Sequence, residues 1–230
     1  MPVISLDGVT HAFGHGAARR LVLDDVSVSL SERRIGVIGA NGSGKSTFAR
    51  LLNGLVVPDR GRVSVDGLDP RTDGKEVRRR VGFVFTDPDA QIVMPTVQED
   101  VAFGLKRRGL KGSELSEVVG KALADLGLAE LADSPAHSLS GGEKQLLALC
   151  SVLVTEPSVL VLDEPTTLLD LRNAHRIGAL LDSLPQQVVL VTHHLDLLEQ
   201  YDRVLVFDEG RLMHDAPPAA AIDHYRGLMA

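Results

Sequence analysis

The chain has 230 residues, 44% of them hydrophobic, enough apolar material for one domain with a sizeable core and an added subdomain. Its net charge of −7 and pI near 5.6 argue against a duplex nucleic-acid binder, which presents a basic surface. Two short basic runs, VRRRV at 77–81 and Lys106–Arg108, read as solvated faces first and as docking points for a partner or membrane surface second.

The single cysteine, Cys150, lies in an apolar helical run. It has no intrachain disulfide partner, which points to a buried, inert thiol and a reducing compartment. No basic segment followed by an apolar one opens the chain, so no signal peptide is expected. No apolar run approaches the roughly 18 residues that a membrane helix needs. A soluble chain is expected, with other subunits supplying any spanning helices.

In chain order, strands are expected at VISL (3–6), VSVSL (26–30, with period-two alternation) and IGVIG (35–39). A helix should run from Lys45 to about Asn53, since Phe48, Leu51, Leu52 and Leu55 recur at helical spacing. RVSVDG (62–67) reads as a strand with a turn, and VGFVF (81–85) as a buried strand. From about 96 to 155 the period becomes helical, in VQEDVAFGL, ELSEVVGKALADLGL and GGEKQLLALCSVLV. Strand and helix then alternate: VLVL (159–162), NAHRIGALLDSL (173–184), VVLVT (188–192), HLDLLEQ (194–200) and RVLVF (203–207). The DEG turn (208–210) leads into a short strand and a terminal helix.

Fully apolar strands separated by helices predict an α/β core with a mainly parallel sheet covered on both faces. The expected organisation is one domain over 1–230. Residues 1–85 and 156–230 form the α/β core, with an N-terminal antiparallel β-subdomain, and about 86–155 form an inserted helical subdomain.

Residues 39–47, GANGSGKST, fit G-x-x-x-x-G-K-[ST] between a buried strand and a helix. Gly39, Gly42 and Gly44 permit the backbone angles that turn successive N–H groups inward. With the helix dipole, those donors suit the phosphates of a nucleotide. The whole stretch Gly39, Ala40, Asn41, Gly42, Ser43, Gly44, Lys45, Ser46 and Thr47 is therefore the candidate ATP cradle. Lys45 is expected between the β- and γ-phosphates, the Ser46 hydroxyl on Mg²⁺, and Thr47 at the α-phosphate. SVLVLDEP (158–165) carries Asp163 to the carboxyl end of a strand, where open α/β sheets bind ligands. Asp163 is expected to orient Mg²⁺ through water, and Glu164 to take the proton of an attacking water. His193, just after the strand VVLVT, is expected at the γ-phosphate, holding that water in line with Glu164. The adjacent His194 reads as structural.

A second glycine-rich stretch, LSGGEKQ (139–145), opens another helix. Ser140 and Glu143 make a capping-box pattern. Gly141 and Gly142 are not needed for that, and each costs roughly 0.5–1 kcal/mol against alanine within a helix. They read as a second phosphate-binding surface, which one compact chain cannot turn onto the nucleotide of its own first cradle.

The ordered set of cradle, LSGGEKQ, apolar strand with Asp-Glu, and strand with His resembles the ATPase subunit of ATP-binding-cassette transporters over nearly the whole chain. The resemblance implies a head-to-tail dimer with two ATP molecules at the interface. Ser140, Gly141, Gly142 and Glu143 of one subunit would act on the ATP of the other. It implies adenine stacking by Phe13 and coupling of the two sites by Asp170. Two positions depart from the family. Its glutamine after the strand VGFVF is here Thr86, whose hydroxyl is shorter by about two bonds and out of direct reach of Mg²⁺, which implies a slow basal ATPase. A basic residue that commonly follows the second glycine motif is here Leu146.

VFTDPDAQIVMPTVQEDVAFGL (84–105) is similar to the ATPases of energy-coupling-factor importers, which take up vitamins and transition-metal ions. DEPTTLLDLRN (163–173) resembles the ATPase of the biotin module, with the cobalt or nickel modules close behind. That resemblance implies ATP hydrolysis with Mg²⁺ at the cytoplasmic face of the membrane. A transmembrane coupling subunit and a substrate-binding membrane subunit would be its partners, with no nucleic acid. Other transporter cassettes, and cassette proteins acting on ribosomes or chromosomes, are the competing classes.

Overall fold

Nine strands fall into two sheets in the computed structural model, which describes residues 2–14 and 16–230 and all side chains there except those of Ala17 and Arg107. The smaller sheet is antiparallel, in the order β2-β1-β4, from β1 (Ile4–Phe13), β2 (Arg20–Leu30) and β4 (Arg60–Val65). The hairpin of β1 and β2 is longer than its apolar alternation predicts. Backbone pairing continues out to Phe13 opposite Arg20, where the side chains no longer alternate.

The larger sheet has the order β5-β6-β7-β3-β8-β9. β3 (Arg34–Gly39), β5 (Val81–Val84), β6 (Val159–Asp163), β7 (Gln187–Val191) and β8 (Arg203–Asp208) run parallel, and β9 (Arg211–Ala216) closes the edge antiparallel to β8. Every residue of β3, β6 and β7 is buried, as continuous apolar strands in a two-faced parallel sheet should be. The parallel register brings the carboxyl ends of β3, β5, β6 and β7 to one edge. Thr192, just past β7, donates to Val37 of β3, and Asp163 lies opposite Val191.

The helices are α1 (Lys45–Leu52), α2 (Gly74–Arg80), α3 (Val97–Arg107), α4 (Gly112–Asp125), α5 (Gly141–Leu153), α6 (Leu171–Ser183) and α7 (Pro218–Leu228). α2 has no counterpart in the sequence reading, because its seven residues present one buried apolar side chain, Val77. The basic run at its end is paired in part on the surface, Arg79 with Glu76 and Arg80 with Asp66. The expected helix at 194–200 is only a 3-10 turn, Leu195–Leu198.

One face of the large sheet packs with the β-subdomain and α1, burying Phe48 against Phe207 at 4.9 Å between ring centres. The other face shares a single apolar cluster with the insert. Val84, Leu160 and Leu162 of the sheet join Val97, Val101, Leu123, Leu147 and Cys150. The insert is therefore continuous with the sheet core. Burial pushes the Cys150 thiol up to about 12.

Candidate functional site

The turn between β3 and α1 is built where side chains cannot go. Gly39 has φ 153°, and a Cβ there would lie 2.1 Å from the Phe207 carbonyl oxygen. Gly44 has φ 98°, and a Cβ there would lie 2.6 Å from the Val22 carbonyl. These approaches hold the turn tightly around its own N–H groups at the start of α1. Lys45 is buried, and its ammonium donates to the carbonyls of Gly39 and Ala40 at 2.8 Å each. Burial lowers its pKa, opposed by the charges of Glu164 and Asp163.

The strands bring β6 to this turn. The Ser46 hydroxyl donates to Asp163 Oδ1 at 2.8 Å, and Arg50, one helical turn further along α1, stands 3.6 Å from Oδ2. Asp163 is 1% exposed. Burial raises its pKa, opposed by the Ser46 hydrogen bond and the Arg50 and Lys45 charges, while the neighbouring Glu164 adds to the rise. Glu164 sits in the left-handed region at φ 54°. Its N–H donates to Val191 at 3.0 Å, and its Oε2 accepts from the Thr167 hydroxyl at 2.9 Å. His193 Nε2 is 2.9 Å from Glu164 Oε1 but off the line of a hydrogen bond. Among the described residues, this buried oxygen has no hydrogen-bond donor.

Lys45, Ser46, Glu164, Thr167 and His193 line one cleft of about 540 Å³, together with Phe13, Arg20, Val22, Asn41, Thr47 and Thr86. The structure thus brings together Phe13, the cradle, Thr86, Glu164 and His193, and sets Asp163 beneath Ser46. Phe13 is 45% exposed, with its ring held edge-on by His11 at 4.8 Å. Sequence reasoning missed Arg20, Val22 and Thr167. Arg20 reaches the cleft only because it pairs across the hairpin with Phe13.

The Thr86 hydroxyl is engaged by the main chain: it donates at 2.7 Å to the carbonyl of Asp163. Gln91 bonds main-chain groups outside the cleft: its Oε1 accepts from Phe85 N–H at 3.1 Å and its Nε2 donates to the Ala148 carbonyl at 3.0 Å.

Ser140 caps α5 in the capping box read from the sequence. Glu143 Oε2 accepts from Ser140 N–H at 2.8 Å and from its hydroxyl at 2.6 Å. Those bonds hold the Glu143 carboxyl below the usual range. Gly142 has a packing reason that the sequence does not reveal, since a Cβ there would fall 2.9 Å from Asn173 Cγ. A Cβ on Gly141 would meet nothing nearer than 4.0 Å. None of Ser140, Gly141, Gly142 and Glu143 lines the chain's own cleft. Asp170 caps α6, accepting from Asn173 N–H at 2.8 Å.

The ABC transporter family model matches residues 23–167. The chain is 55% identical to a putative ABC transporter ATP-binding protein of Deinococcus radiodurans over 99% of both chains. It is 51% identical to the biotin transport ATP-binding protein BioM of Rhizobium etli, over 92% of this chain and 94% of that one. It is 42% identical to the energy-coupling factor transporter ATP-binding protein EcfA1 of Symbiobacterium thermophilum, over 99% of this chain and 84% of that one. Among solved structures, cbiO1 of Clostridium perfringens, part of the cbiONQ transporter complex, superposes with TM-score 0.83 at 29% identity, over 98% of this chain and 92% of that one. The dimeric cassette MJ0796 bound to ADP and phosphate gives 0.84 at 26% identity, over 94% and 98%. On these matches the chain belongs to the ABC transporter family as one of its ATPase subunits, most like those of energy-coupling-factor transporters.

Proposed function

We propose that the chain binds ATP with Mg²⁺ in the 540 Å³ cleft and hydrolyses it to power an energy-coupling-factor importer, for biotin or a transition-metal ion. The observation that carries this reading is the convergence of Lys45, Ser46, Asp163, Glu164 and His193 from three separate segments onto one sheet edge. The cradle N–H groups and Lys45 hold the phosphates. Lys45 exchanges its two carbonyl partners for phosphate oxygens, which are better acceptors for a buried cation.

Oxygen donors suit Mg²⁺. Ser46 and Asp163 already stand within hydrogen-bond distance, and the described residues hold no cluster of three or more acidic or imidazole groups. That matches an ion that keeps its waters and leans on substrate phosphates rather than on a protein cage. Ser46 would ligate it directly and Asp163 through water; bound there, it would offset the phosphate charge. Glu164 Oε1, buried and lacking a donor, accepts the proton of the attacking water, with His193 beside it to hold that water in line. Phe13 offers its exposed face to the adenine.

The second glycine motif lies outside the chain's own cleft, which supports its use on a partner's ATP in a head-to-tail dimer. Asp170, fixed at the start of α6, would couple the two sites. No helix among the described residues is long and apolar enough to cross a membrane. In this reading, membrane subunits carry the substrate and the chain sits on the cytoplasmic face. The name of BioM favours biotin, while that of EcfA1 gives the transporter class without a substrate. Purification of the tagged chain from its own membranes tests the reading. Co-purifying small membrane proteins, with uptake of labelled biotin or Co²⁺ lost on deletion, are expected. A chain that purifies alone, with uptake of both substrates unchanged on deletion, overturns the importer assignment.

A further inference from the structure

The peptide joining Asp163 to Glu164 is tied on both sides. Its carbonyl accepts from the Thr86 hydroxyl at 2.7 Å, and its N–H donates to Val191 at 3.0 Å. The β5–β6 ladder ends at Val84 opposite Leu162, so the Thr86 hydroxyl bonds across just beyond the last rung. The peptide leads into a strained residue, Glu164 at φ 54°. Left-handed backbone in a residue with a Cβ is strained and persists only where its surroundings over-determine it. The same peptide plane directs the Asp163 carboxylate at Ser46 and the Glu164 carboxylate at Thr167 and His193.

Thr86 is itself held from the helical insert. Phe85, immediately before it, has both main-chain groups engaged. Its N–H donates to Gln91, whose amide donates in turn to Ala148 on α5, and its carbonyl accepts from Gln145, also on α5, at 3.4 Å. Hydrogen bonds to Phe85, the Phe85–Thr86 main chain and the Thr86 hydroxyl together join α5, the helix opened by the second glycine motif, to the backbone of the two site carboxylates.

We propose that Thr86 and Gln91 are positioning residues that fix the Asp163–Glu164 peptide to α5. Movement of the insert then reaches the catalytic carboxylates through the main chain rather than through a side chain on the metal. This rests on the reading of Glu164 as the base. Thr86 acts through Asp163 and Glu164, and Gln91, which lies outside the cleft, acts through Phe85 and Thr86.

The test uses the purified full chain. Thr86→Val keeps the shape and loses the hydroxyl; Thr86→Ser keeps the hydroxyl; Gln91→Met keeps the length and loses both amide bonds. Thr86→Val and Gln91→Met should each lower kcat by about 3- to 10-fold, the effect of one buried hydrogen bond, with KM for ATP within about 2-fold. Thr86→Ser should restore the parent rate. The double variant should be no slower than the slower single, because both cut one connection. In the nucleotide-free chain, hydrogen exchange at the Glu164 amide should speed up in Thr86→Val and Gln91→Met but not in Thr86→Ser, and this decides the matter for any variant too slow to assay. Parent exchange and kcat in Thr86→Val, a loss confined to KM, or losses that multiply in the double variant would overturn the proposal. Glu164→Gln separates the two levels. Normal hydrolysis by that variant refutes the base, whereas a dead Glu164→Gln beside an unaffected Thr86→Val refutes only the tie.

Discussion

Asn173 on α6 lies against Gly142 on α5: a Cβ on Gly142 would come 2.9 Å from Asn173 Cγ, so the Asn173 side chain would have to shift to admit it. Asn173 is also the residue whose N–H caps onto Asp170. The second glycine motif and the proposed dimer-coupling aspartate thus meet at a single side chain. Gly142→Ala should gain up to about 1 kcal/mol in helix propensity and lose about 1–3 kcal/mol to overpacking. Net destabilisation is expected in urea melts, and Asn173→Ala should relieve it. A Gly142→Ala chain as stable as the parent contradicts the contact.

Lys45→Ala removes the one cation buried in the cradle. A charge-assisted hydrogen bond in such a site is worth about 1.5–3 kcal/mol, so MgATP affinity should fall by about 10- to 100-fold or more. Calorimetric titration checks it, and parent-like affinity would sink the assignment of the cradle.

Glu164→Gln keeps the shape of the turn and the acceptor for Thr167 but cannot take a proton. Hydrolysis should slow by at least about 100-fold while ATP binding persists. The variant should then accumulate as a dimer on gel filtration with ATP. If it stays monomeric and hydrolyses ATP at the parent rate, Glu164 is not the base.

Cys150 ties stability to alkaline pH. Its folded thiol is pushed up to about 12 from 9.0, the ordinary value. Above pH 9 the unfolded chain releases this proton and the folded chain does not, so folding stability falls as pH rises, by about 1.4 kcal/mol per unit from this group. The loss begins near the unfolded value and ends near the folded one. Urea melts at pH 8 and pH 10 should show a steeper loss in the parent than in Cys150→Ala. Equal slopes, or rapid reaction of the native thiol with a disulfide reagent at pH 8, would refute its burial.

Much of the site is legible in the chain because its chemistry is local. The cradle needs three glycines, a lysine and a serine within nine consecutive residues, and the strand VLVLD delivers Asp163 and Glu164 by its own apolar run. The capping box of Ser140 and Glu143 spans a single helical turn and forms as read. The alternation of apolar strands and periodic helices likewise announces the mainly parallel sheet and the helical insert. Short elements escape: α2 buries only Val77, and Leu195–Leu198 makes one 3-10 turn where a helix was expected.

What tertiary structure alone decided lies in pairings between distant segments. Arg20 enters the cleft because a backbone ladder carries it opposite Phe13. Thr86 finds the Asp163 carbonyl across 77 residues, and Gln91 finds Ala148 across 57. Gly142 is crowded by Asn173, a neighbour that its own stretch of sequence does not reveal. A residue's type and its near neighbours determine which bonds it can make. Which bond a short hydroxyl or an amide does make depends on which carbonyl the packed sheet and insert bring within 3 Å of it, and that is settled only when the whole core closes.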